Sequence, residues 1–310
     1  MSKKDQKAQR HGQKRDNSAR KSSKESRREL APKKSPAPLA PQPARNPAKH
    51  PSDSRPERRP QRPASHDATD LWLFGKHPVM AALQNPARPI KRLFVTKRSA
   101  EQYKEELYSI MEDRPELSPE IVPIEALMKP LPDECVHQGI ALQTAPLPAV
   151  ALQDCCAITE DGSHLVLILD QITDPHNVGA IIRSAAAFGA RAIISTDRNA
   201  PPESGTLAKS SSGALEVLPW VRVTNLSRAL DELADMGYWR LGMDGAADLS
   251  IRDADFGQNI ALVMGAEGKG LRKGTVSHCD ALIKLPIQRT VESLNVSNAA
   301  AIALYAFSAS

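Results

Sequence analysis

Apolar and polar residues alternate in blocks along the C-terminal half of the chain, in the way that is typical of an α/β domain. Short apolar runs bounded by turn residues predict strands, and these lie at 164–170, 191–195, 238–243, 260–264 and 281–285. Apolar residues at three- and four-residue spacing predict helices, and these lie at 177–188, 226–236 and 294–307. Strands that alternate with helices favour a mainly parallel sheet covered on both faces. We therefore predict such a domain over residues 163–310.

A smaller α/β pattern precedes this domain, over residues 71–147. Its predicted elements are a short helix opened by Pro78, strands at 90–97 and 137–145, and an amphipathic helix at 100–113. The apolar stripe of that amphipathic helix consists of Tyr103, Leu107, Ile110 and Met111. Residues 148–162 have the composition of a linker that contains a short helix.

The first 67 residues lack any such pattern. They contain no aromatic residue, 10 of the 25 prolines, 19 Lys and Arg, and 7 Asp and Glu, which gives a net charge of +12 against −7 for the remainder. A segment of this composition cannot bury enough apolar surface to offset the entropy of ordering. We predict a disordered basic arm that neutralises phosphates of a polyanion. A solubilising tail or part of a targeting signal are the alternatives.

Composition also limits the compartment and the cofactors. No apolar run approaches the roughly 18 residues needed to span a membrane, and the N-terminus has no apolar signal segment. The four cysteines form no C-x-x-C pair, which favours a reduced cytoplasm. Cys135 and His137 form at most one corner of a zinc site, and two further ligands at suitable spacing are missing. We therefore predict no membrane span and no metal.

One arginine lies within an otherwise small and apolar helical stretch, "DPHNVGAIIRSAAAFGA" at 174–190. The neighbours of Arg183 one turn away are Gly179, Ala180, Ala186 and Ala187, so another backbone can approach closely. The residues that can face the sheet are Val178, Ile181, Ile182 and Ala185. Two interpretations stay open: a guanidinium that projects from a tightly packed site, or a structural arginine paired with a carboxylate such as Asp170.

Two further stretches follow predicted strands. In "VMGAEGKGLR" (263–272), three glycines surround Glu267, which suits either a ligand-binding loop or an ordinary strand-to-helix turn. In "IKLPIQRTVESLNVSNAAAIALYAF" (283–307), polar residues crowd the start of an uncharged helix. Those polar residues can cap the helix or bind a ligand beside the strand ends. The uncharged helix itself must be buried, either within the domain or against another chain.

Taken together, "DPHNVGAIIRSA", "GAEGKGLR" and "LPI…SLNVSNAAAIALY" resemble the motifs of the SpoU/TrmH family of RNA ribose 2′-O-methyltransferases, within the SPOUT class. The resemblance covers about residues 160–310. The preceding unit, with "FGKHPVMAAL" and "HQGIAL", resembles the substrate-binding domain of bacterial members that methylate 23S ribosomal RNA. This resemblance implies an α/β fold with a C-terminal trefoil knot, S-adenosylmethionine as cofactor and a homodimer whose site is completed by both chains.

Site residues follow from the resemblance, motif by motif. The catalytic candidates are Asn177, Arg183, Glu267, Ser293 and Asn295. The cofactor-binding candidates are Gly265, Leu285, Ile287 and Leu294. Arg183 is the family's proposed base. Because a guanidinium rarely gives up a proton, we expect it to hold the phosphate and ribose and to stabilise negative charge on the oxygen, with Glu267 and Asn177 orienting it.

The substrate has alternatives. The "QRTVE" loop, with Arg289 and Glu292, and Asn298 depart from the pattern of the ribosomal branch. The leading hypothesis is a guanosine of 23S rRNA. Another rRNA site or tRNA is the alternative within the enzyme class. A non-catalytic RNA-binding ribosome assembly factor is the alternative from another class, and the intact set of candidate catalytic residues argues against it.

Overall fold

The computed structural model describes residues 70–159, 162–288 and 290–308. The basic arm predicted for 1–67, two residues of the predicted linker and Arg289 lie outside these ranges. Within them, the chain forms two separate β-sheets with helices packed on both.

The first sheet has four strands: β1 (Leu71–Phe74), β2 (Ile90–Val95), β3 (Pro119–Ile121) and β4 (Ile140–Thr144). Its spatial order is β1-β4-β2-β3, and only the β2–β3 pair is parallel. The helices of this part are α1 (Lys76–Gln84), α2 (Lys97–Gln102), α3 (Lys104–Asp113) and α4 (Ile124–Met128). The helix predicted at 100–113 is therefore two helices that meet at Tyr103. The predicted stripe is confirmed, since Tyr103, Leu107 and Ile110 are buried and Met111 packs against them.

The second sheet has seven strands: β5 (His164–Asp170), β6 (Ala192–Thr196), β7 (Trp220–Val223), β8 (Trp239–Met243), β9 (Leu249–Ser250), β10 (Asn259–Gly265) and β11 (Ala281–Lys284). Every paired neighbour is parallel, in the order β7-β6-β5-β10-β8-β11-β9. The helices of this part are α5 (Leu152–Cys156), α6 (Pro175–Ala187), α7 (Gly205–Ser211), α8 (Leu226–Asp235), α9 (Lys273–Val276) and α10 (Val296–Phe307), with 3₁₀ turns at Ala214–Glu216 and Ile251–Asp253. The predicted mainly parallel sheet is confirmed.

Successive side chains along each strand point to opposite faces of this sheet, so each strand contributes to the apolar cluster on either face. On β5, Leu165, Leu167 and Leu169 pack into the cluster that holds α6 and α10. The intervening residues Val166 and Ile168 pack into the cluster that holds α8. Because both faces are covered, the strand sequences read as nearly continuous apolar runs. No helix among the described residues is long and apolar enough to cross a membrane.

The sequence pattern did not predict several short elements. Helix α7 has the sequence "GTLAKSS", whose Gly, Thr and Ser residues are poor helix formers. It forms nonetheless because Ser204 caps it at Leu207 N, and because Leu207 and Ala208 are fully buried. Strands β7 and β9 lie at the two edges of the sheet and are partly exposed. Tertiary packing, rather than local pattern, determines these elements.

Parallel pairing brings the three motif loops to one edge of the sheet. Asp170 at the end of β5 is in register with Gly265 at the end of β10. Strand β11 runs in the same direction beyond β8. The loops that follow β5, β10 and β11 therefore emerge side by side, at the carboxyl edge where open α/β sheets bind ligands.

Candidate active site

A hydrogen-bonded cluster joins one residue from each motif at this edge. Asn295 Nδ2 donates to Glu267 Oε1 at 2.8 Å and to Asn177 Oδ1 at 3.0 Å. Glu267 Oε1 also accepts from Val296 N at 3.0 Å, and from Asn177 Nδ2 at a longer 3.5 Å. Three motifs, whose cluster residues span 118 positions of the chain, thus meet at a single carboxylate oxygen. The second oxygen, Oε2, has no hydrogen-bond partner among the described residues.

The orientation of the Asn295 amide is determined by its own helix. Asn295 is the N-cap of α10, and its Oδ1 accepts from Ser297 N at 2.9 Å. That hydrogen bond leaves Nδ2 as the group that faces Glu267 and Asn177. Of the two alternatives raised by the sequence, capping is therefore confirmed at Asn295, whose side-chain amide also joins the polar cluster.

Glycines explain the shape of the loop that carries Glu267. A Cβ on Gly265 would lie 2.3 Å from the carbonyl carbon of Gly270, so the loop can fold back onto the end of β10 only with glycine there. Gly268 and Gly270 have φ of +74° and +63°, in the region that favours glycine. Gly270 N donates to Ala266 O at 2.8 Å and closes the loop.

A buried carboxylate anchors the far end of the same loop. Asp170 is fully buried and accepts from Arg272 N at 3.1 Å, Arg272 Nε at 2.6 Å and Thr275 Oγ1 at 2.7 Å. A buried charge without such partners would cost several kcal/mol. The suggested pairing of Asp170 with Arg183 is therefore wrong, because Asp170 is satisfied by Arg272. A signal was available in the sequence, since Arg272 is the last residue of "GAEGKGLR".

Helix α6 presents Asn177 in its first turn. Asp174 is the N-cap and accepts from His176 N at 3.1 Å and Asn177 N at 3.3 Å, while Pro175 fills the first helical position. The expected buried face is confirmed, and it consists of Val178, Ile181, Ile182 and Ala185. The expected close approach of another backbone is confirmed at Gly179, where a Cβ would lie 2.6 Å from Leu207 O of α7.

Arg183 does not join the cluster within this chain. It is exposed, and it has no hydrogen bond or ion pair to any described residue. It follows Asn177 by six residues, which is about 1.7 helical turns and places it on a different face of α6. Among the described residues, Glu267 and Asn177 therefore do not make the expected contacts with Arg183.

Three of the four cofactor candidates lie at strand ends, and Leu294 directly precedes Asn295. Gly265 ends β10, and Leu285 and Ile287 directly follow β11. Leu285 and Leu294 are half-buried, while Ile287 is 40% exposed. Apolar side chains and strand-end backbone groups suit an adenine ring, so these residues fit S-adenosylmethionine.

The remaining polar candidates of the third motif stay outside the cluster. Ser293 and Asn298 are exposed and make no side-chain hydrogen bond to the described residues. Across those residues, no group of three or more His, Cys, Asp or Glu is arranged to hold a metal ion.

Comparisons with known proteins agree on one family. Residues 164–305 match the model of the SpoU rRNA Methylase family, and residues 72–150 match that of the RNA 2′-O ribose methyltransferase substrate binding domain. The 23S rRNA (guanosine-2′-O-)-methyltransferase RlmB of Pseudomonas putida is 36% identical over 239 residues, which are 75% of this chain and 94% of that protein. The RlmB of Photobacterium profundum is 38% identical over 237 residues, covering 75% of this chain and 95% of its own length.

A solved structure extends the likeness to three dimensions. The SpoU methyltransferase AviRb from Streptomyces viridochromogenes, in complex with the cofactor AdoMet, superposes with a TM-score of 0.64 at 25% identity, over 77% of this chain and 89% of that one. The family match at 164–305 includes the motif residues that meet at the carboxyl edge. The chain therefore belongs to the SpoU rRNA methylase family.

Proposed function

We propose that this protein transfers a methyl group from S-adenosylmethionine to the ribose 2′-hydroxyl of a guanosine in 23S rRNA. The observation that carries the proposal is the meeting of Asn177, Glu267 and Asn295 at the carboxyl edge of the sheet. Family membership supplies the reaction class, and the named relatives supply the substrate. The match of residues 72–150 to an RNA substrate-binding domain supports RNA rather than a small molecule.

The cofactor supplies an electrophilic methyl group on a sulfonium. The chain has to align a ribose oxygen with that methyl and to exclude competing geometries, and positioning of this kind can contribute about 7–11 kcal/mol to lowering a barrier. Gly265, Leu285, Ile287 and Leu294 would hold the cofactor, largely through backbone and apolar contacts. The polar cluster beside them would fix the ribose, with Ser293 available on the exposed loop.

Proton removal from the 2′-hydroxyl needs an acceptor, and Glu267 Oε2 is an unengaged carboxylate oxygen beside the cluster. Arg183 would bind the phosphate and ribose and stabilise negative charge on the oxygen as the hydroxyl loses its proton. A guanidinium with a pKa above about 12 is a poor base but a strong donor of paired hydrogen bonds.

A homodimer is part of the proposal. Arg183 lies away from the cluster of its own chain, which supports a site completed by a second copy. Helix α10 contains no charged residue, yet Ile302 and Tyr305 on its outer face are 47% and 70% exposed. We expect Ile302→Asp to convert a dimer into a monomer in sedimentation velocity. A monomeric wild-type chain would contradict this part of the proposal.

The C-terminal trefoil knot that the family resemblance implies also belongs to the proposal. The segment from β10 to α10 carries the second and third motifs and contributes Gly265, Leu285 and Leu294. A knot in this segment would hold those strand ends together around the cofactor.

The test is methylation of RNA from a strain that lacks the gene. Purified full-length protein would be incubated with methyl-labelled S-adenosylmethionine and total RNA, and the label located in fractionated 23S rRNA, 16S rRNA and tRNA. We expect label at a single guanosine ribose of 23S rRNA. Label in 16S rRNA or tRNA would keep the reaction and refute the substrate. Absence of label in all fractions, together with absent cofactor binding, would favour a non-catalytic assembly factor.

A further inference from the structure

One arginine outside the proposed site is buried as completely as a core leucine. Arg88 lies between α1 and β2, and it is 1% exposed. It belongs to the region matched by the substrate-binding model, at 72–150. Neither methyl transfer nor cofactor binding makes use of it, so its burial needs a separate reason.

Both carboxylate partners of Arg88 belong to the other family region. Its Nε and Nη2 donate to the two carboxylate oxygens of Glu216 at 3.0 and 2.6 Å. Its Nη1 donates to Ala145 O at 2.9 Å and also to Glu203. Glu203 and Glu216 lie within 164–305, the region matched by the methylase model. One guanidinium therefore joins the substrate-binding region to the catalytic region through two carboxylates.

The same two carboxylates are held by further groups of the substrate-binding region. Glu203 Oε2 accepts from Leu147 N at 3.0 Å. Glu216 accepts from Asn85 Nδ2 through its side-chain Oε2 at 2.9 Å and through its backbone O at 3.2 Å. Arg88 is thus the centre of a hydrogen-bonded network, rather than one half of a single ion pair.

Glu203 and Glu216 flank helix α7, and we call residues 203–216 the docking segment. Helix α6 and strand β1 pack so closely against this segment that only glycine fits at each contact. A Cβ on Gly179 of α6 would lie 2.6 Å from Leu207 O, and a Cβ on Gly205 would lie 2.4 Å from Trp72 O of β1. The docking segment is therefore packed between the helix that carries Asn177 and the first strand of the small sheet.

A third link completes the connection. Lys209 Nζ of α7 donates to Gln138 Oε1 at 2.8 Å, and the same oxygen accepts from Lys76 N at the start of α1 at 3.0 Å. Closely packed interfaces of this kind transmit displacements instead of absorbing them. A shift of the small sheet would have to move α7, and with it α6.

We propose that Arg88 is a positioning residue that clamps both ends of the docking segment, and that the resulting fixed spacing between the small sheet and α6 selects which ribose of a bound RNA reaches the methyl-transfer site. This inference rests on the proposed function. The RNA would be held by the substrate-binding region and presented to a catalytic helix at one set distance. Misplacement of a substrate by about 1 Å can cost about 10²-fold in rate.

Stability alone does not account for the network. Burial of an arginine with two carboxylates leaves one negative charge in excess, and burial raises the pKa of Glu203 in spite of the attraction of Arg88. Replacement of buried ion pairs by apolar groups of similar volume is often neutral for folding. What the charged network adds over an apolar interface is a fixed geometry.

The test compares the wild-type chain with the triple variant R88M/E203Q/E216Q, which removes all three charges and retains most of the volume. The matched control is R240L/D280N, which removes another bidentate ion pair that lies wholly within the catalytic region. A second variant, R88K, keeps the charge without the bidentate geometry, and it serves if the triple variant does not fold. Full-length proteins would be assayed on 23S rRNA from a strain lacking the gene. Spin labels on exposed Tyr108 and Asp235 would report the spacing of the two regions.

We expect the triple variant to bind S-adenosylmethionine as the wild type does, to lose about 10²-fold in kcat/KM on RNA, and to place methyl groups on additional riboses. We also expect a broader spin-label distance distribution, with R240L/D280N unchanged in all of these. Single-site methylation at wild-type kcat/KM with an unchanged distance distribution would overturn the inference. Methylation by no form of the chain would refute the proposed function, while the distance distributions would still decide whether Arg88 is a clamp.

Discussion

Arg183 is exposed and has no partner among the described residues, so the donors of its guanidinium are free to engage a ligand. Its neighbours one turn away are small, and the side chain is exposed in the part of the chain that the structure describes. Asp170, the carboxylate that the sequence suggested as its partner, is engaged by Arg272, and Glu267 makes no contact with Arg183. The side chain is therefore available for substrate.

The substitution Arg183→Ala should lower kcat by about 10²–10³-fold, the usual loss when a preorganised donor to a developing negative charge is removed. Because the side chain has no partner among the described residues, the free energy of unfolding should stay within about 0.5 kcal/mol of the wild type. Single-turnover methylation and urea unfolding measure the two quantities. Arg252→Ala, another exposed arginine, is the control and should change neither. An R183A protein that is clearly destabilised but retains the wild-type kcat would contradict this role.

At the scale of single residues, the sequence predicted which motifs meet better than it predicted how their side chains interact. The motif order correctly brought Asn177, Glu267 and Asn295 together, because parallel strands deliver their following loops to one edge. It did not predict that Asp170 would form its ion pair with Arg272, or that Arg183 would lie on a different face of α6 from Asn177. Those outcomes depend on which charges are buried together, and burial is a tertiary property.

Helix α6 is held in place by close packing against α7 that depends on a glycine. A Cβ at Gly179 would fall 2.5–3.1 Å from atoms of Leu207, Ser210 and Ser211, two of which belong to the backbone. Gly179→Ala should therefore destabilise the protein by about 1–3 kcal/mol through overpacking, despite a gain of about 1 kcal/mol in helix propensity. It should also lower methylation, because α6 carries Asn177.

Urea unfolding and methylation assays of G179A check this prediction. The control is Gly274→Ala, since Gly274 also lies in a helix but a Cβ there meets nothing closer than 4.0 Å. A G179A protein as stable and as active as G274A would show that α7 can move away from α6 without consequence.

Helix α5 is tied to the start of β8 by a buried phenol. Tyr238 OH donates to Cys156 O at 3.0 Å, and burial raises the pKa of Tyr238 to about 12. A tyrosine that stays neutral to higher pH in the folded state than in the unfolded state, where its pKa is about 10, stabilises the fold fully below about pH 10. That contribution is lost as the pH rises through about 12.

The free energy of unfolding should therefore fall between about pH 10 and 12, and Tyr238→Phe should remove part of that slope. At neutral pH the same substitution should cost about 1 kcal/mol, because Cys156 O loses its donor. The thiol of Cys156, whose pKa burial also raises to about 12, contributes to the remaining slope. Urea unfolding from about pH 9 upward measures it, with exposed Tyr108→Phe as the control. Equal slopes in Y238F and wild type would refute this assignment.

Elements with strong internal patterns were the ones that sequence could predict. Strands β5 and β10 carry long apolar runs and were located to within one residue at each end, whereas α7 carries no such signal. The docking segment could not be predicted because its helix is stabilised by packing on both sides. Sequence patterns show what a segment buries, but not against which partner.

At the scale of the whole molecule, charge is divided unevenly along the chain. Residues 1–67, the basic arm of the sequence analysis and here the basic segment, carry a net charge of +12, and the remainder carries −7. An acidic body repels RNA at long range, so the attraction has to come from local features such as Arg183 or from the basic segment. The two contributions differ in their dependence on salt and on sequence, because non-specific phosphate pairing releases counterions and specific site interactions add little to that release.

Deletion of residues 1–67 should weaken RNA binding and flatten its dependence on salt. For single-stranded RNA, the slope of log K against log salt should become shallower by about 0.7 for each phosphate that the segment neutralises. The value of kcat at saturating RNA should be unchanged, since the proposed catalytic residues all lie in the catalytic region. A full-length variant with the 19 Lys and Arg of this segment replaced by Gln should behave like the deletion, because charge rather than length attracts the phosphates.

Filter binding across a salt series measures both the affinity and the slope, and it separates the readings of the basic segment that the sequence left open. If the basic segment pairs with phosphates, removal of its charges must lower the affinity and flatten the salt slope. The effect should be the same for any RNA, because counterion release does not depend on sequence. If deletion left affinity and slope at their wild-type values, the acidic body alone would have to supply the phosphate-binding groups, and the basic segment would serve solubility or targeting.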